Sequence, residues 1–320
     1  MDISDKALDV MPRKLKSMMA KLKRLLDDKK KDEVPAYDYR YDVADLRLDI
    51  AWELFEMGRY NEALSFYRKV TWSEGGGRKY VGTACVLTEL HRFEEAMAVL
   101  QKGLKEDPDS AALFHAMGNY FQEKMDFNSS YNWFRRAMEA NPKEPMHWFS
   151  VANAACCLSQ YEEGISIYRK LVNKYPRNGL YREFLGWSLS DTGCTEEAMR
   201  EYKTAIQLKG ADIDAYIGLY FVCRDLGLQT EALNAALSGY RLFPGKDPDM
   251  YAVLTEAYRD QGWIDEAIGI IQKGLELFPD DEQLQDMLKD MQDDDDGGEA
   301  VETTNKKLVA IIVNKRQKMR

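Results

Sequence analysis

A chain of 320 residues, 45% hydrophobic and 31% charged, has the composition of a globular protein and enough length to bury a core. Its formal net charge of −10 argues against a body that coats nucleic acid, because such domains are usually basic. Its five cysteines form no CxxC pair, its first residues lack an apolar signal core, and no apolar run is long enough to span a bilayer. These features predict a cytoplasmic protein.

The first predicted element is a basic amphipathic helix in residues 12–31, within a tyrosine-rich lead-in that covers residues 1–43. The segment has nine basic and two acidic residues, a local charge of +7. Its apolar residues recur at helical spacing: Leu15, Met18, Met19, Leu22, Leu25 and Leu26. Four roles are open: a cap on the first repeat, self-association or binding of a partner groove, contact with an anionic membrane surface, and, least favoured, contact with nucleic acid phosphates.

From residue 44 to residue 281 the chain repeats with a period of about 34 residues. A small residue after an acidic or polar pair marks each copy: Ala63, Ala96, Ser130, Gly164, Ala198, Ala232 and Ala267. The spacings are 33, 34, 34, 34, 34 and 35 residues, and chance does not hold register over seven periods. The predicted copies are 44–76, 77–110, 111–144, 145–178, 179–212, 213–247 and 248–281.

Each copy contains two helical patterns separated by a short polar turn. In the third copy the first pattern places an apolar stripe at i, i+3, i+4 and i+7 from Phe114, and the second continues the helical period from Ser130. Pro142 closes the copy, since proline cannot continue a helix interior. We expect Gly118 and Ser130 to face each other where the helices cross, because larger side chains would hold the backbones apart.

This pattern resembles the tetratricopeptide repeat family. The third copy carries the fullest signature: Phe114, Met117, Gly118, Phe121, Ser130, Phe134, Ala137 and Pro142. The fourth copy keeps Trp148, Val151, Ala152, Gly164, Tyr168, Leu171 and Pro176. The chain departs from the family where the first and fifth copies end on Gly75 and Gly210 instead of proline. The resemblance covers about three quarters of the chain and implies an all-α, right-handed superhelical solenoid of about seven antiparallel helix-turn-helix repeats.

The last two segments follow the repeats. Residues 282–292 are predicted to form a capping helix with one apolar and one charged face. Residues 293–320 begin as an acidic linker and end in a basic tail around the apolar run 308–313. Two interpretations of the tail are open: a strand that joins a partner's sheet edge, or an aggregation-prone segment guarded by lysines. The linker and the basic ends could also pair with one another.

No motif in the sequence indicates catalysis. The three histidines, His91, His115 and His147, do not stand at metal-ligand spacing, and phosphate-binding and nucleophile-elbow patterns are missing. The glycine triplet at 75–77 follows no strand pattern and is predicted to be a loop. We therefore expect a protein that is not an enzyme and that needs neither metal nor cofactor.

The resemblance implies a concave wall lined by the first helix of each repeat. One residue after the small position of that helix, the chain carries Trp52, Cys85, Asn119, Asn153, Trp187, Phe221 and Glu256. Neighbouring candidates for the inner face are His115, Gln122, Phe149, Phe184, Arg224 and Arg259. Asparagine amides offer a donor and an acceptor to an extended peptide, and aromatic residues supply apolar anchors. Arg78 is the one cation at the inner positions assigned in the first three copies, which argues against a clamp for a C-terminal carboxylate.

The leading hypothesis is a non-catalytic protein–protein interaction adaptor or scaffold that holds an extended peptide or partner segment in this groove. The alternative is a peripheral membrane-associated assembly factor that docks through residues 12–31 and self-associates through its repeats. A protein or peptide is the expected partner, with an anionic membrane surface and a second copy of the chain as further candidates. Nucleic acid is disfavoured. The sequence does not name the partner, because this fold serves many tasks.

Overall fold

A computed structural model describes residues 12–29, 36–208 and 211–293 of the chain. Over these residues the chain forms sixteen α-helices and no strand, so the predicted all-α class is confirmed. The contacts between residues divide the chain into two compact units, residues 1–151 and residues 152–320. The division falls inside a helix.

The helices follow one another with short connections. In the first unit they are α1 Arg13–Lys29, α2 Ala36–Glu56, α3 Tyr60–Arg68, α4 Trp72–Glu89, α5 Phe93–Glu106, α6 Ala111–Glu123 and α7 Phe127–Ala140. Helix α8, Pro145–Cys157, contains the division. In the second unit they are α9 Tyr161–Lys174, α10 Gly179–Asp191, α11 Thr195–Gln207, α12 Ile213–Asp225, α13 Gln229–Leu242, α14 Pro248–Arg259, α15 Ile264–Leu277 and α16 Glu282–Asp293. Within a unit, helices pack in antiparallel pairs and each pair contacts the next. The exact repeat bounds and those of the two end segments stay predictions.

The small residue that marks each copy is buried at its helix pair. All of these positions lie in the interior: Ala63, Ala96, Ser130, Gly164, Ala198, Ala232 and Ala267. At Gly164 on α9, an added Cβ would overlap Sγ of Cys156 and lie 3.1 Å from the carbonyl oxygen of Ala152, both on α8. A Cβ at Gly118 on α6 would overlap the ring of Phe134 on α7. A small residue therefore recurs in each copy because the two backbones of a pair approach closely at this position.

A residue in the left-handed region occupies the turn between the two helices of each pair. These residues are Gly58, His91, Met125, Ser159, Gly193, Gly227 and Gly262, with φ angles from 55° to 77°. For a residue with a Cβ, this conformation costs about 1–2 kcal/mol, because the Cβ crowds the following carbonyl oxygen. Four of the turns use glycine and avoid this cost, whereas three do not.

Replacing Met125 with glycine is therefore expected to raise the free energy of unfolding by about 0.5–1 kcal/mol. The relief of backbone strain exceeds the extra freedom that glycine gives the unfolded chain. Urea denaturation at constant m-value measures the change. The reverse substitution is the control: Gly193→Ala, at the same place in another turn, introduces a Cβ in the left-handed region and should lower the free energy of unfolding. A destabilised Met125→Gly variant would contradict the argument.

Helix α1 packs its apolar face into the core of the first unit. Leu15 and Leu22 are 1% and 6% exposed and belong to the same cluster of buried residues as the repeats that follow. Lys14 forms an ion pair with Glu53 of α2. The opposite side of the helix carries exposed basic side chains, namely Arg13, Lys14, Lys21, Lys23 and Arg24. The apolar stripe is thus occupied within its own unit, and the basic side faces solvent.

Two further details concern helix ends. Helix α4 is broken at Gly76, where φ is 50° and ψ is −146°, so the predicted loop at 75–77 is a kink near the start of a helix. Helix α16 packs on α14 and α15. Its Leu284, Met287 and Met291 are buried, and a Cβ added at Gly274 of α15 would lie 2.9 Å from Leu284.

Candidate peptide-binding face

The residues predicted to line one groove are divided between the two units. The first unit holds Trp52, His115, Asn119, Gln122 and Phe149. The second unit holds Asn153, Phe184, Trp187, Phe221, Arg224, Glu256 and Arg259. We therefore describe two faces, one in each unit.

In the first unit, the predicted residues differ widely in exposure. Trp52 is 44% exposed, with its ring centroid 5.3 Å from that of Phe55. Phe55 in turn lies 5.6 Å from Tyr60 of α3. Asn119 is exposed, whereas Gln122 and Phe149 are partly buried. This face therefore offers an aromatic surface at α2 and a free amide at α6.

His115 is part of a histidine pair rather than a free polar group. Its Nε2 is 2.9 Å from Oγ of Ser150, and its ring lies 5.2 Å from that of His147. Burial, reinforced by His147, lowers the pKa of His115 to about 4. Burial also lowers the pKa of His147. Both rings are thus neutral at physiological pH and supply no positive charge to a ligand.

In the second unit, four first helices lie side by side. Helix α12 contacts both α10 and α14. Helix α8 is joined to α10 by Cys156 and Ser188, whose Sγ and Oγ atoms are 3.3 Å apart. Each helix contributes one residue at the matched position: Asn153 from α8, Trp187 from α10, Phe221 from α12 and Glu256 from α14. We call these four residues the inner row.

Trp187 is the most unusual member of the inner row. The residue is 7% exposed, and its indole N–H finds no hydrogen-bond acceptor in the described part of the chain. Leaving a buried donor unpaired costs about 1–3 kcal/mol, so such a group calls for an explanation. Asn153, on the neighbouring helix, is 5% exposed. Phe221 is partly buried and completes the aromatic part of the row.

The other end of the inner row is a charged network. Arg224 stacks over Phe221, with its guanidinium carbon 5.4 Å from the ring centroid, and lies 3.5 Å from the hydroxyl oxygen of Tyr220. Glu256 accepts a hydrogen bond of 2.8 Å from Arg259. Burial raises the pKa of Glu256, although Arg259 acts against this shift. Both arginines are therefore held by neighbours on their own face.

Phe184 is close to the inner row in sequence, but its side chain packs in the interior of the unit. It is 4% exposed, and its ring centroid lies 5.9 Å from that of Tyr168. The buried side chain contributes to the packing of α9 on α10.

An acidic residue that was not among the predicted site residues lies at the end of most first helices. In the second unit these residues are Asp191, Asp225 and Asp260, the last residues of α10 and α12 and the C-cap of α14. We call them the acidic row. The first unit has Glu56, Glu89 and Glu123 at the matching places on α2, α4 and α6. The spacing of about one repeat between these acids could have revealed the row from the sequence. Acidic residues are common on protein surfaces, however, so the row did not stand out.

Two of these carboxyl groups are shifted by their surroundings. Burial raises the pKa of Asp191 to about 6, and a hydrogen bond with Tyr161 opposes the shift. The residue as a whole still reaches the surface. Burial, followed by the charge of Glu89, raises the pKa of Glu123. Asp260 accepts a hydrogen bond of 3.3 Å from Tyr220.

The described residues contain neither a cluster of metal-ligand side chains nor a helix that could cross a membrane. Among them, no three histidine, cysteine, aspartate or glutamate side chains come together in a group that could hold a metal ion. Over the same ranges, no helix combines the length and the apolar character needed to cross a membrane.

Paired helices at a fixed period, with variable residues on the first helix of each pair, define a class of all-α repeat proteins. A family model described as tetratricopeptide repeat matches residues 44–71, within the first predicted copy. Residues 44–71 thus match one tetratricopeptide repeat, and the helix pairs of the described residues have the fold of proteins built from such repeats.

Known proteins of this class resemble the chain at low sequence identity. The TPR repeat-containing protein YpiA of Bacillus subtilis (strain 168) is 24% identical over 158 residues, which are 48% of this chain and 37% of that protein. The structure of yeast Tom70 superposes with a TM-score of 0.62 at 16% identity, covering 90% of this chain and 60% of Tom70. The type IV pilus biogenesis factor PilW gives 0.58 at 16% identity, covering 65% of this chain and 96% of PilW. The chain thus spans less than two thirds of YpiA and of Tom70, and these likenesses concern the fold.

Proposed function

We propose that the protein is a non-catalytic scaffold that binds an extended segment of a protein partner on the inner row of the second unit. The observation that carries this proposal is the buried indole N–H of Trp187, which has no acceptor in the described residues and lies between two helices that also contribute to the row. A backbone carbonyl of a bound segment is the natural acceptor for such a donor.

The rest of the inner row supports binding of a peptide rather than of a small charged ligand. The amide of Asn153 supplies a donor and an acceptor to a peptide backbone, which carries both groups at every residue. Phe221, with Arg224 stacked over its ring, offers an apolar contact of the kind that dominates binding energies at interfaces. Glu256 and Arg259 neutralise each other and set the polar limit of the row.

Selection of peptides from a random displayed library, followed by titration of the selected peptide, tests the proposal. Trp187→Phe removes the indole N–H and keeps an aromatic ring, so we expect affinity to fall about three- to tenfold. Trp263→Phe is the matched control, because Trp263 is 45% exposed beside a second helix of the same unit. Its affinity should equal that of the wild type.

Two further variants extend the test. The double variant Asn119→Ala, Asn153→Ala removes the free amide of the first unit together with the buried amide of the inner row. We expect it to bind the selected peptide less tightly than the wild type while its far-UV circular dichroism is unchanged. A selected peptide that binds the wild type, Trp187→Phe and the double variant equally would show that the inner row is not the site.

A second candidate function is docking on an anionic membrane through helix α1, with self-association through the repeats. The exposed basic side chains of α1 favour it, because basic clusters bind anionic lipid headgroups. The apolar face of α1 is already buried in the first unit, so this docking would depend on charge alone. Co-sedimentation with vesicles that contain phosphatidylserine, compared with neutral vesicles, distinguishes the two functions. Binding that is lost in the triple variant Lys21→Glu, Lys23→Glu, Arg24→Glu would establish the second.

A further inference from the structure

The acidic row of the second unit lies at the C-terminal ends of helices, where negative charge is usually disfavoured. Asp191 and Asp225 are the last residues of their helices, and Asp260 caps a third. The C-terminal end of a helix carries partial negative charge, so a carboxylate there is unfavourable by about 0.3–1 kcal/mol, whereas a cation is favourable. Asp191 and Asp260 accept hydrogen bonds from Tyr161 and Tyr220, but all three aspartates remain exposed. They form a surface suited to positive charge.

The row is neutralised only in part by the unit itself. Tyr220 links Arg224 to Asp260, because its hydroxyl oxygen lies 3.5 Å from the Arg224 guanidinium and donates a hydrogen bond of 3.3 Å to Asp260. Burial acts to lower the pKa of Arg224, whereas Tyr220 and the charges of Asp260 and Asp225 raise it. Asp191 has no such contribution from a basic side chain: burial and the hydroxyl of Tyr161 account for its pKa shift. At neutral pH a carboxyl group with a pKa of about 6 is mostly ionised. The row therefore keeps net negative charge.

Trp187 provides a second observation, independent of the acidic row, that indicates a ligand at this surface. It precedes Asp191 by four residues on α10, and residues at that spacing share one face of a helix. Its buried indole N–H has no acceptor among the described residues. A ligand that satisfies both groups carries a cation for Asp191 and a carbonyl oxygen for Trp187, which is the chemistry of a basic peptide segment.

The chain itself contains a segment with this chemistry. Residues 306–320 have the sequence KKLVAIIVNKRQKMR, with six basic residues and no acidic residue. The apolar run 308–313 in the same segment complements the ring of Phe221, which is only partly buried. Charge and apolar character thus match the acidic row and the inner row together.

The length of the intervening chain permits contact within one molecule. Twelve residues, 294–305, separate helix α16 from this segment. An extended chain covers at most about 3.3–3.6 Å per residue, so the linker reaches roughly 40 Å. Packed helices lie about 8–10 Å apart, so the three steps from α16 through α14 and α12 to α10 span about 30 Å.

We propose that residues 306–320 bind the acidic row of the second unit in the same molecule, with their basic side chains on Asp191, Asp225 and Asp260 and their apolar run beside Phe221. This proposal rests on the proposed function, because the segment occupies the face assigned to the partner. A partner segment must then displace it, so the face favours ligands that carry more positive charge or a better apolar match than residues 306–320.

Hydrogen–deuterium exchange of residues 306–320 in the full chain tests the proposal. We expect exchange in the wild type to be at least about tenfold slower than in a free peptide of the same sequence. In the triple variant Asp191→Asn, Asp225→Asn, Asp260→Asn, the protection should disappear, while far-UV circular dichroism shows the helices intact. The matched control is Glu56→Gln, Glu89→Gln, Glu123→Gln, which removes the equivalent acids of the first unit and should keep the protection. The acidic linker is the same in both variants, so pairing of the tail with the linker would protect the segment equally in each.

Three outcomes would overturn the proposal. Residues 306–320 could exchange in the wild type as fast as the free peptide. Protection could be lost equally in both triple variants, which would indicate attraction to overall charge. Protection could rise with protein concentration together with a doubled mass, which would assign the face to the tail of a second copy. The measurement needs no partner, so its failure leaves the scaffold function standing. Failure of the peptide selection would count against the scaffold function if it persists in the variant Asp191→Asn, Asp225→Asn, Asp260→Asn, in which the tail no longer occupies the face.

Discussion

Replacing Phe134 with alanine is expected to lower the free energy of unfolding by about 3–5 kcal/mol. Phe134 is 1% exposed and lies between the helices of its pair, where its ring fills the space above Gly118. The ring also lies 5.1 Å from that of His115, so its removal takes away contacts with both helices of the pair. Chemical denaturation followed by circular dichroism measures the loss, and Met125→Ala, at a residue that is 52% exposed, is the control with little effect.

A double-mutant cycle identifies the contact responsible. Gly118→Ala places a Cβ against the Phe134 ring and should destabilise the wild type by about 1–3 kcal/mol. The same change should cost less in the Phe134→Ala background, because the space for the methyl group is then available. Equal costs in both backgrounds would mean that the two residues do not limit each other's size.

Replacing Leu15 with alanine is expected to lower the stability of the first unit by about 2–5 kcal/mol. Leu15 is 1% exposed in the core cluster that continues through α2 and α3. If α1 instead lay loosely on the surface, available to lipid or to a partner, the substitution would leave the stability of the unit nearly unchanged. Urea denaturation measures the loss, with Leu26→Ala as the matched control, since Leu26 is 36% exposed on the same helix.

The opposite result would be equally informative about α1. Unchanged stability of Leu15→Ala, combined with weaker sedimentation with anionic vesicles, would show that the apolar face leaves the core to enter lipid. The predicted combination is reduced stability with unchanged sedimentation of the folded fraction.

The repeat and its helices could be predicted from the sequence because their cause is local and recurs. Each pair must bring two backbones close together, which restricts positions such as Ala96, Ala198 and Ala267 to small residues. The role of α1 could not be predicted, because an apolar stripe looks the same whether it meets a core, a lipid surface or a partner. The burial of Leu15 in the core of the first unit favours the role of a cap.

The exposure of side chains on the first helices could not be predicted from the sequence. Asn119 and Asn153 are the same residue type at the same place in neighbouring copies, yet the first is exposed and the second is 5% exposed. Trp52 and Trp187 differ in the same way, at 44% and 7%. The side chains of adjacent helices determine these exposures, and those side chains vary between copies. Periodicity therefore predicts matched positions on the first helices, but it does not predict how far each side chain is exposed.

The turns have a consequence for how the chain opens. The three turns whose left-handed residue carries a Cβ, at His91, Met125 and Ser159, are consecutive, and glycine occupies the turn before them and the three after them. Conformational strain is thus concentrated in one continuous stretch of the chain instead of being spread evenly. In a repeat protein, stability is roughly the sum of the repeats and their interfaces, so the stretch from His91 to Ser159 should be the first to exchange its amide protons. The array would then unfold from its middle, not by fraying from its ends.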